Sequence, residues 1–167
     1  MAVVLFPPAE AVGAAEEFRR EHDPLFHRIA AHLTVVFPFE STWERAAPRL
    51  ERAVAAGATA FEVVLAGAGR FDDGVVYLRV GEGAPVLAAL HERLTDAVAP
   101  PTGAVHLPFV PHLTLGRGTG PAESAFLERQ AAGRLAETRF RAERLSLVVE
   151  DARGIWVERG RLALPVA

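Results

Sequence analysis

The chain alternates short apolar runs, closed by proline or glycine, with longer stretches in which apolar residues recur at helical spacing. Ala2 to Phe6 is such a run, ended by Pro7 and Pro8, and is predicted to be a strand. Val12, Ala15 and Phe18 share one helical face, which predicts a helix from about Ala9 to Glu21. The β-branched and apolar residues from His32 to Phe37, bounded by Pro38, predict a strand with His32, Thr34 and Val36 on one side. Ser41-Thr42-Trp43-Glu44 has the pattern of a capping box and opens a helix to about Ala56. Pro48 predicts a kink or a late start in it, and Gly57 stops it.

Phe61 to Leu65 and Val75 to Val80 predict a hairpin joined by the turn-rich segment Gly67 to Gly74. Pro85 begins a helix with the apolar stripe Val86, Leu87, Leu90, Leu94 and Val98, ended by Pro100-Pro101. The order of elements then repeats. A strand covers His112 to Leu115, a helix runs from Pro121 to about Leu135, and a hairpin joins Phe140–Val149 to Ile155–Leu164 around Asp151-Ala152-Arg153-Gly154. Subtracting 80 carries His112 onto His32, Pro121 onto Ser41, Phe140 onto Ala60 and Gly154 onto Gly74. The chain therefore reads as two similar halves, about 1–82 and 83–167, within one domain. Gly81-Glu82-Gly83-Ala84 is too short to be a flexible linker between independent units.

Composition narrows the chemistry. Half of the 167 residues are hydrophobic and 23% are charged, and no apolar run approaches the ~20 residues that span a bilayer. A soluble, unprocessed, cytoplasmic protein with no membrane partner is expected, and a monomer is the default. The absence of cysteine excludes disulfides and thiolate metal sites. A net charge of −3 and a pI of about 6.1 lack the basic excess needed to track a long nucleic-acid backbone, so any nucleic-acid substrate is a nucleotide or a short end. All 18 basic residues are arginine. Positive charge on a substrate phosphate must then come from arginine, a protonated histidine or a metal, never from lysine.

The feature that carries chemistry is His32-Leu33-Thr34-Val35 together with His112-Leu113-Thr114-Leu115. One His-x-Thr means little by itself. Two of them, each on a predicted strand and equivalently placed in two similar halves, mean more. Side chains at i and i+2 of a strand point the same way, so each motif offers an imidazole and a hydroxyl to one space while its leucine turns to the core. If the halves face each other about a pseudo-twofold axis, two imidazoles and two hydroxyls converge. Displacement at phosphorus needs a base on the attacking oxygen and an acid on the leaving oxygen, and histidine serves either role near neutral pH. Threonine hydroxyls can donate to the non-bridging oxygens.

These paired motifs resemble those of the two-histidine (2H) phosphoesterase superfamily, which includes the 2′-5′ RNA ligases and cyclic nucleotide phosphodiesterases. The resemblance extends to Asp23-Pro24 ahead of the run Ala31 to Phe39, to Pro111-His112-Leu113-Thr114-Leu115-Gly116-Arg117, and to the apolar strand Val75-Val76-Tyr77-Leu78. It implies a bilobed α+β fold of duplicated βαβαβ-type halves, with antiparallel sheets lining a central cleft. It also implies metal-independent cleavage of 2′,3′-cyclic phosphates or related esters of nucleotides or RNA ends. His32 and His112 become the acid/base pair, and Thr34 and Thr114 the phosphate donors. With an RNA 5′-hydroxyl as nucleophile the same site gives 2′-5′ ligation, and a module that binds a nucleotide or an RNA end without turnover is the alternative from another class.

Arg117 is a candidate phosphate contact or else a strand-end arginine in solvent, and Tyr77 either lines the cleft or fills a hydrophobic hairpin position. Phe37 and Phe39 are expected in the core or the cleft wall. His22, His27, His91 and His106 lack a threonine two residues on and are expected at the surface or behind the site. Glu16-Glu17 and Arg19-Arg20 are expected to be ordinary helix surface. No metal or other cofactor is expected: two imidazoles need a third ligand, and Asp72, Asp73, Glu150 and Asp151 qualify by residue type only.

Overall fold

The computed structural model of the protein describes residues 1–98 and 108–166. In chain order the elements are β1 (Ala2–Leu5), α1 (Ala9–His22), β2 (Leu33–Val36), α2 (Trp43–Ala55), β3 (Phe61–Arg70) and β4 (Val75–Val80). They continue with α3 (Ala84–Val98), β5 (His112–Arg117), α4 (Pro121–Arg134), β6 (Thr138–Ala142), β7 (Arg144–Glu150) and β8 (Trp156–Ala163). Each strand and helix sits close to where the hydrophobic pattern predicts it. Helix α1 begins after Pro8, which has no N–H to leave unsatisfied. It stops at Asp23, whose backbone is extended because Pro24 follows.

Three local expectations are corrected. The first residues of the expected turn, Gly67 to Arg70, continue β3, and the reversal is confined to Phe71–Gly74. The single strand expected over Phe140 to Val149 is broken at Glu143 into β6 and β7, which pair with different partners. The capping box does not form: Thr42 is the N-cap of α2 without a side-chain cap bond, and the Ser41 hydroxyl turns to the Thr42 carbonyl. Helix α2 starts ahead of Pro48 and carries it internally. Pro100-Pro101, expected to end α3, lie outside the described residues.

The eight strands form one antiparallel sheet in the order β6-β3-β4-β5-β2-β1-β7-β8. The antiparallel sheets expected along the cleft are thus the two four-stranded halves of a continuous sheet, joined where β5 meets β2. Strand β4 takes beside β5 the place that β1 takes beside β2.

Side-chain alternation sorts the sheet into two faces. Val3, Leu5, Leu33, Leu65, Val76, Leu78, Leu113, Leu115, Leu145 and Leu147 form the main core with Phe18 of α1, Leu50 of α2, Leu87, Leu90 and Leu94 of α3 and Leu127 of α4. The helices therefore cover one face. The other, open face carries a smaller cluster, Ala2, Val4 and Val148 with Phe6 and Trp156 against it, and also the buried Tyr77 and Ser146. Among the described residues no helix is long and apolar enough to cross a membrane.

Candidate active site

Leu33 of β2 pairs with Leu113 of β5 at the seam between the two halves of the sheet. Both are fully buried against the helices. In an antiparallel ladder the residues one step either side of a pair also face each other, so His32 stands opposite Thr114 and Thr34 opposite His112. All four side chains lie on the open face, with opposed Cβ atoms about 5 Å apart. The neighbouring strands extend both rows. Arg79 of β4 pairs with His112 and Tyr77 with Thr114, while Val4 of β1 pairs with Thr34. One step beyond the Leu5–Leu33 pair, Phe6 meets His32 edge-on at 6.2 Å.

The two rings are held alike. His32 Nδ1 lies 2.8 Å from the Ala30 carbonyl and His112 Nδ1 lies 2.7 Å from the Val110 carbonyl, two residues upstream in each case. A carbonyl can only accept, so Nδ1–H donates in both, and Nε2 is left to exchange a proton. Both imidazoles have their pKa lowered, chiefly because partial burial penalises the charged ring. The carbonyl bonds oppose this in both rings. The charge of Arg19 pushes His32 further down and that of Asp23 pulls it up, with a smaller downward push from His112, while Asp73 pulls His112 up.

The segment that delivers His32 is anchored from below. Arg19 of α1 is only 2% exposed, which corrects its assignment to the helix surface; Glu17 and Arg20 are exposed as expected. Its guanidinium donates to Asp23 Oδ2 at 3.0 and 2.8 Å, to Glu16 Oε2 at 2.9 Å and to the Ile29 carbonyl at 2.9 Å. Glu16 in turn accepts the Ala31 N–H at 2.5 Å. Residues 29 and 31 are thus fixed on either side of Ala30, whose carbonyl orients the His32 ring.

A sequence profile described as the 2′-5′ RNA ligase superfamily matches residues 7–154. The chain belongs to that superfamily. A protein of Geobacillus kaustophilus, named provisionally as a phosphoesterase, is 30% identical over 161 residues, covering 92% of this chain and 90% of its own. A Bacillus anthracis protein named in the same way is 28% identical over 164 residues, covering 93% and 91%. Among solved structures, Escherichia coli LigT complexed with 3′-AMP superposes with a TM-score of 0.71 at 22% identity, covering 98% of this chain and 96% of that one. TT0787 of Thermus thermophilus gives 0.67 at 19% identity, covering 99% and 97%. The α+β fold expected from the motifs is the fold of these structures. Membership of the 2′-5′ RNA ligase superfamily places the function among those of phosphoesterases and RNA ligases.

Of the site residues predicted from sequence, His32, Thr34, His112, Thr114 and Tyr77 come together. Tyr77 is buried, packs 5.2 Å from His112 and stacks on Phe71 at 4.3 Å; Phe71 also meets the His112 ring edge-on at 5.0 Å. Arg117 lies at the far end of β5, where it bonds the Asp73 carbonyl at 2.8 Å and pairs with the Asp73 carboxylate at 3.1 Å. His91 donates to or accepts from nothing in the site: its Nδ1 bonds the Val35 carbonyl and its ring stacks on Phe109. Phe37 is exposed rather than core, edging His91 and Phe109, while Phe39 packs on the core. His22 and His27 pack on Phe18 and Phe26, and His106 lies outside the described residues. Among the described residues no three His, Asp or Glu side chains are grouped as metal ligands.

Phe6, Phe71 and Arg79 are the site neighbours that sequence reasoning missed. Arg79 had a signal available: it lies two residues after Tyr77 and so shares its face of β4.

Proposed function

We propose that the protein hydrolyses 2′,3′-cyclic phosphates, or related cyclic phosphodiesters of nucleotides and RNA ends, by two-histidine acid/base catalysis without a metal. The observation that carries this reading is the Leu33–Leu113 register, which sets each histidine across from the other motif's threonine. A phosphate over that square meets an imidazole on each side and a hydroxyl beside each imidazole. One Nε2 takes the proton of a water whose oxygen bonds to phosphorus. The phosphorus–oxygen bond to one ribose oxygen breaks, and the other histidine gives that oxygen its proton, leaving a monoester. Thr34 and Thr114 donate to the non-bridging oxygens as charge grows there. The Nδ1–H bonds to Ala30 and Val110 fix both tautomers for these transfers. An RNA 5′-hydroxyl in place of water would give 2′-5′ ligation from the same atoms.

The test is incubation with nucleoside 2′,3′-cyclic phosphates and with cyclic-phosphate-ended RNA, with and without a chelator. Formation of the monoester at an undiminished rate under chelation is the expected result. Tight binding without product, or turnover abolished by the chelator, overturns it.

A further inference from the structure

The two flanks of the four-residue square differ, and the difference says what else the substrate carries. Across from His32 stands the apolar ring of Phe6, whereas across from His112 stands the guanidinium-bearing Arg79. Every other strand arginine of that half of the sheet has a carboxylate: Arg70 pairs with Glu128, Arg117 with Asp73, Arg139 with Glu82 and Arg141 with Glu62. Among the described residues Arg79 is in no such pair, and residues 99–107 hold no Asp or Glu that could supply one.

The position of Arg79 is built into the fold. Its Nη1 donates to the Ala68 carbonyl of β3, so the side chain, although exposed, is directed across the sheet toward β3. Gly69 makes this possible. A Cβ at Gly69 would come within 2.9 Å of both the Arg79 guanidinium and the Tyr77 ring. Strands lie about 4.8 Å apart, so a guanidinium over β3 stands about 10 Å from β5. That is too far to serve the phosphate between the histidines and near enough to meet a second anionic group one ribose away.

We propose that Arg79 binds a second phosphate, the one on the 5′ oxygen of the nucleoside whose cyclic phosphate lies between His32 and His112. This rests on the function proposed above and narrows it: the substrate is a nucleoside phosphorylated on both sides, either a free 5′-phosphorylated nucleotide or the last nucleoside of an RNA 3′ end. Both present the same phosphate to Arg79, and a guanidinium matches it bidentately.

Equilibrium binding, which needs no turnover, tests the proposal. Adenosine 3′-monophosphate, adenosine 3′,5′-bisphosphate and the 3′-phosphorylated dinucleotide ApAp are titrated into wild type, Arg79→Ala and Arg144→Ala, the last changing an exposed arginine on the other half of the sheet. Wild type and Arg144→Ala should bind at least one doubly phosphorylated ligand about tenfold tighter than the monophosphate, as a charged hydrogen-bonded contact gives. Arg79→Ala should lose that increment and hold the monophosphate within about twofold of wild type. Preference for the bisphosphate identifies a free nucleotide, and preference for ApAp identifies an RNA end. The proposal is overturned if wild type shows no increment, if Arg79→Ala keeps it, or if Arg79→Ala weakens all three ligands alike. Failure of wild type to turn over any cyclic phosphate would instead sink the catalytic reading and leave these binding results to be judged by themselves.

Discussion

Leu33 and Leu113 face each other across the seam of the sheet, and that one pairing sets the positions of all four motif side chains on the opposite face. The leucines are sealed beneath helices, while the histidines and threonines one residue away are partly exposed. A one-residue slip of β5 against β2 would send His112 and Thr114 into the core.

Leu113→Ala should therefore affect stability and catalysis together. Removing a fully buried leucine should cost about 2–5 kcal/mol, read as a lower denaturation midpoint. Because the cavity lies directly beneath the square, kcat should fall as well. A variant that loses stability but keeps wild-type kcat at a temperature where it is fully folded would show that the seam does not set the geometry.

His32→Ala and His112→Ala should each lower kcat by on the order of a hundredfold or more, within the range of general acid/base catalysis. The double variant should lose far less than the product of the two, since the rings act as a unit. Near wild-type turnover in either single variant excludes the paired mechanism.

The pH dependence follows from burial of the two rings. With both pKa values pushed below the ordinary ~6.5 of histidine, the bell-shaped profile of kcat/KM should have its maximum on the acid side of 6.5. Ring-proton NMR titration should place the midpoints of both His32 and His112 below that ordinary value; a midpoint at or above it in either ring would contradict the effect of burial.

Stability should carry the same signature. Protonation is disfavoured in the folded protein, so the unfolded chain binds more protons once pH drops below about 6.5. The contribution of these rings is thus fully favourable above that pH and is lost as pH falls from it toward the folded values. Replacing His32 by alanine should flatten the decline in unfolding free energy between about pH 6.5 and 5; an unchanged slope would mean that the ring is not protected from protonation.

Arg19→Met should leave Asp23, whose side chain is 4% exposed, as an unpaired buried charge. The expected cost is about 3–5 kcal/mol, the range for breaking one side of a buried pair. Arg19→Lys keeps the charge but cannot bridge Asp23, Glu16 and the Ile29 carbonyl together. In that variant kcat should fall with KM nearly unchanged, because the loop before His32 loses its anchor and no substrate contact is removed. A lysine variant with wild-type kcat would assign Arg19 to folding alone.

The sequence by itself determined the elements and the chemistry. Alternation placed His32 with Thr34 and His112 with Thr114 because a strand's side-chain period of two is a local property. The 80-residue register of the two motifs predicted their convergence for the same reason. Only the tertiary structure decided which neighbours those motifs meet. Arg19 reads as helix surface because its burial comes from the loop that folds back over α1, and the role of that loop cannot be seen from helical spacing. Arg79 reads as one arginine among eighteen because its lack of a carboxylate partner among the described residues, its seat above Gly69 and its place beside His112 all depend on contacts between different strands. Hydrophobic periodicity fixes which way a side chain points; what lies there is set by strand order and register, which arise only when distant segments pair.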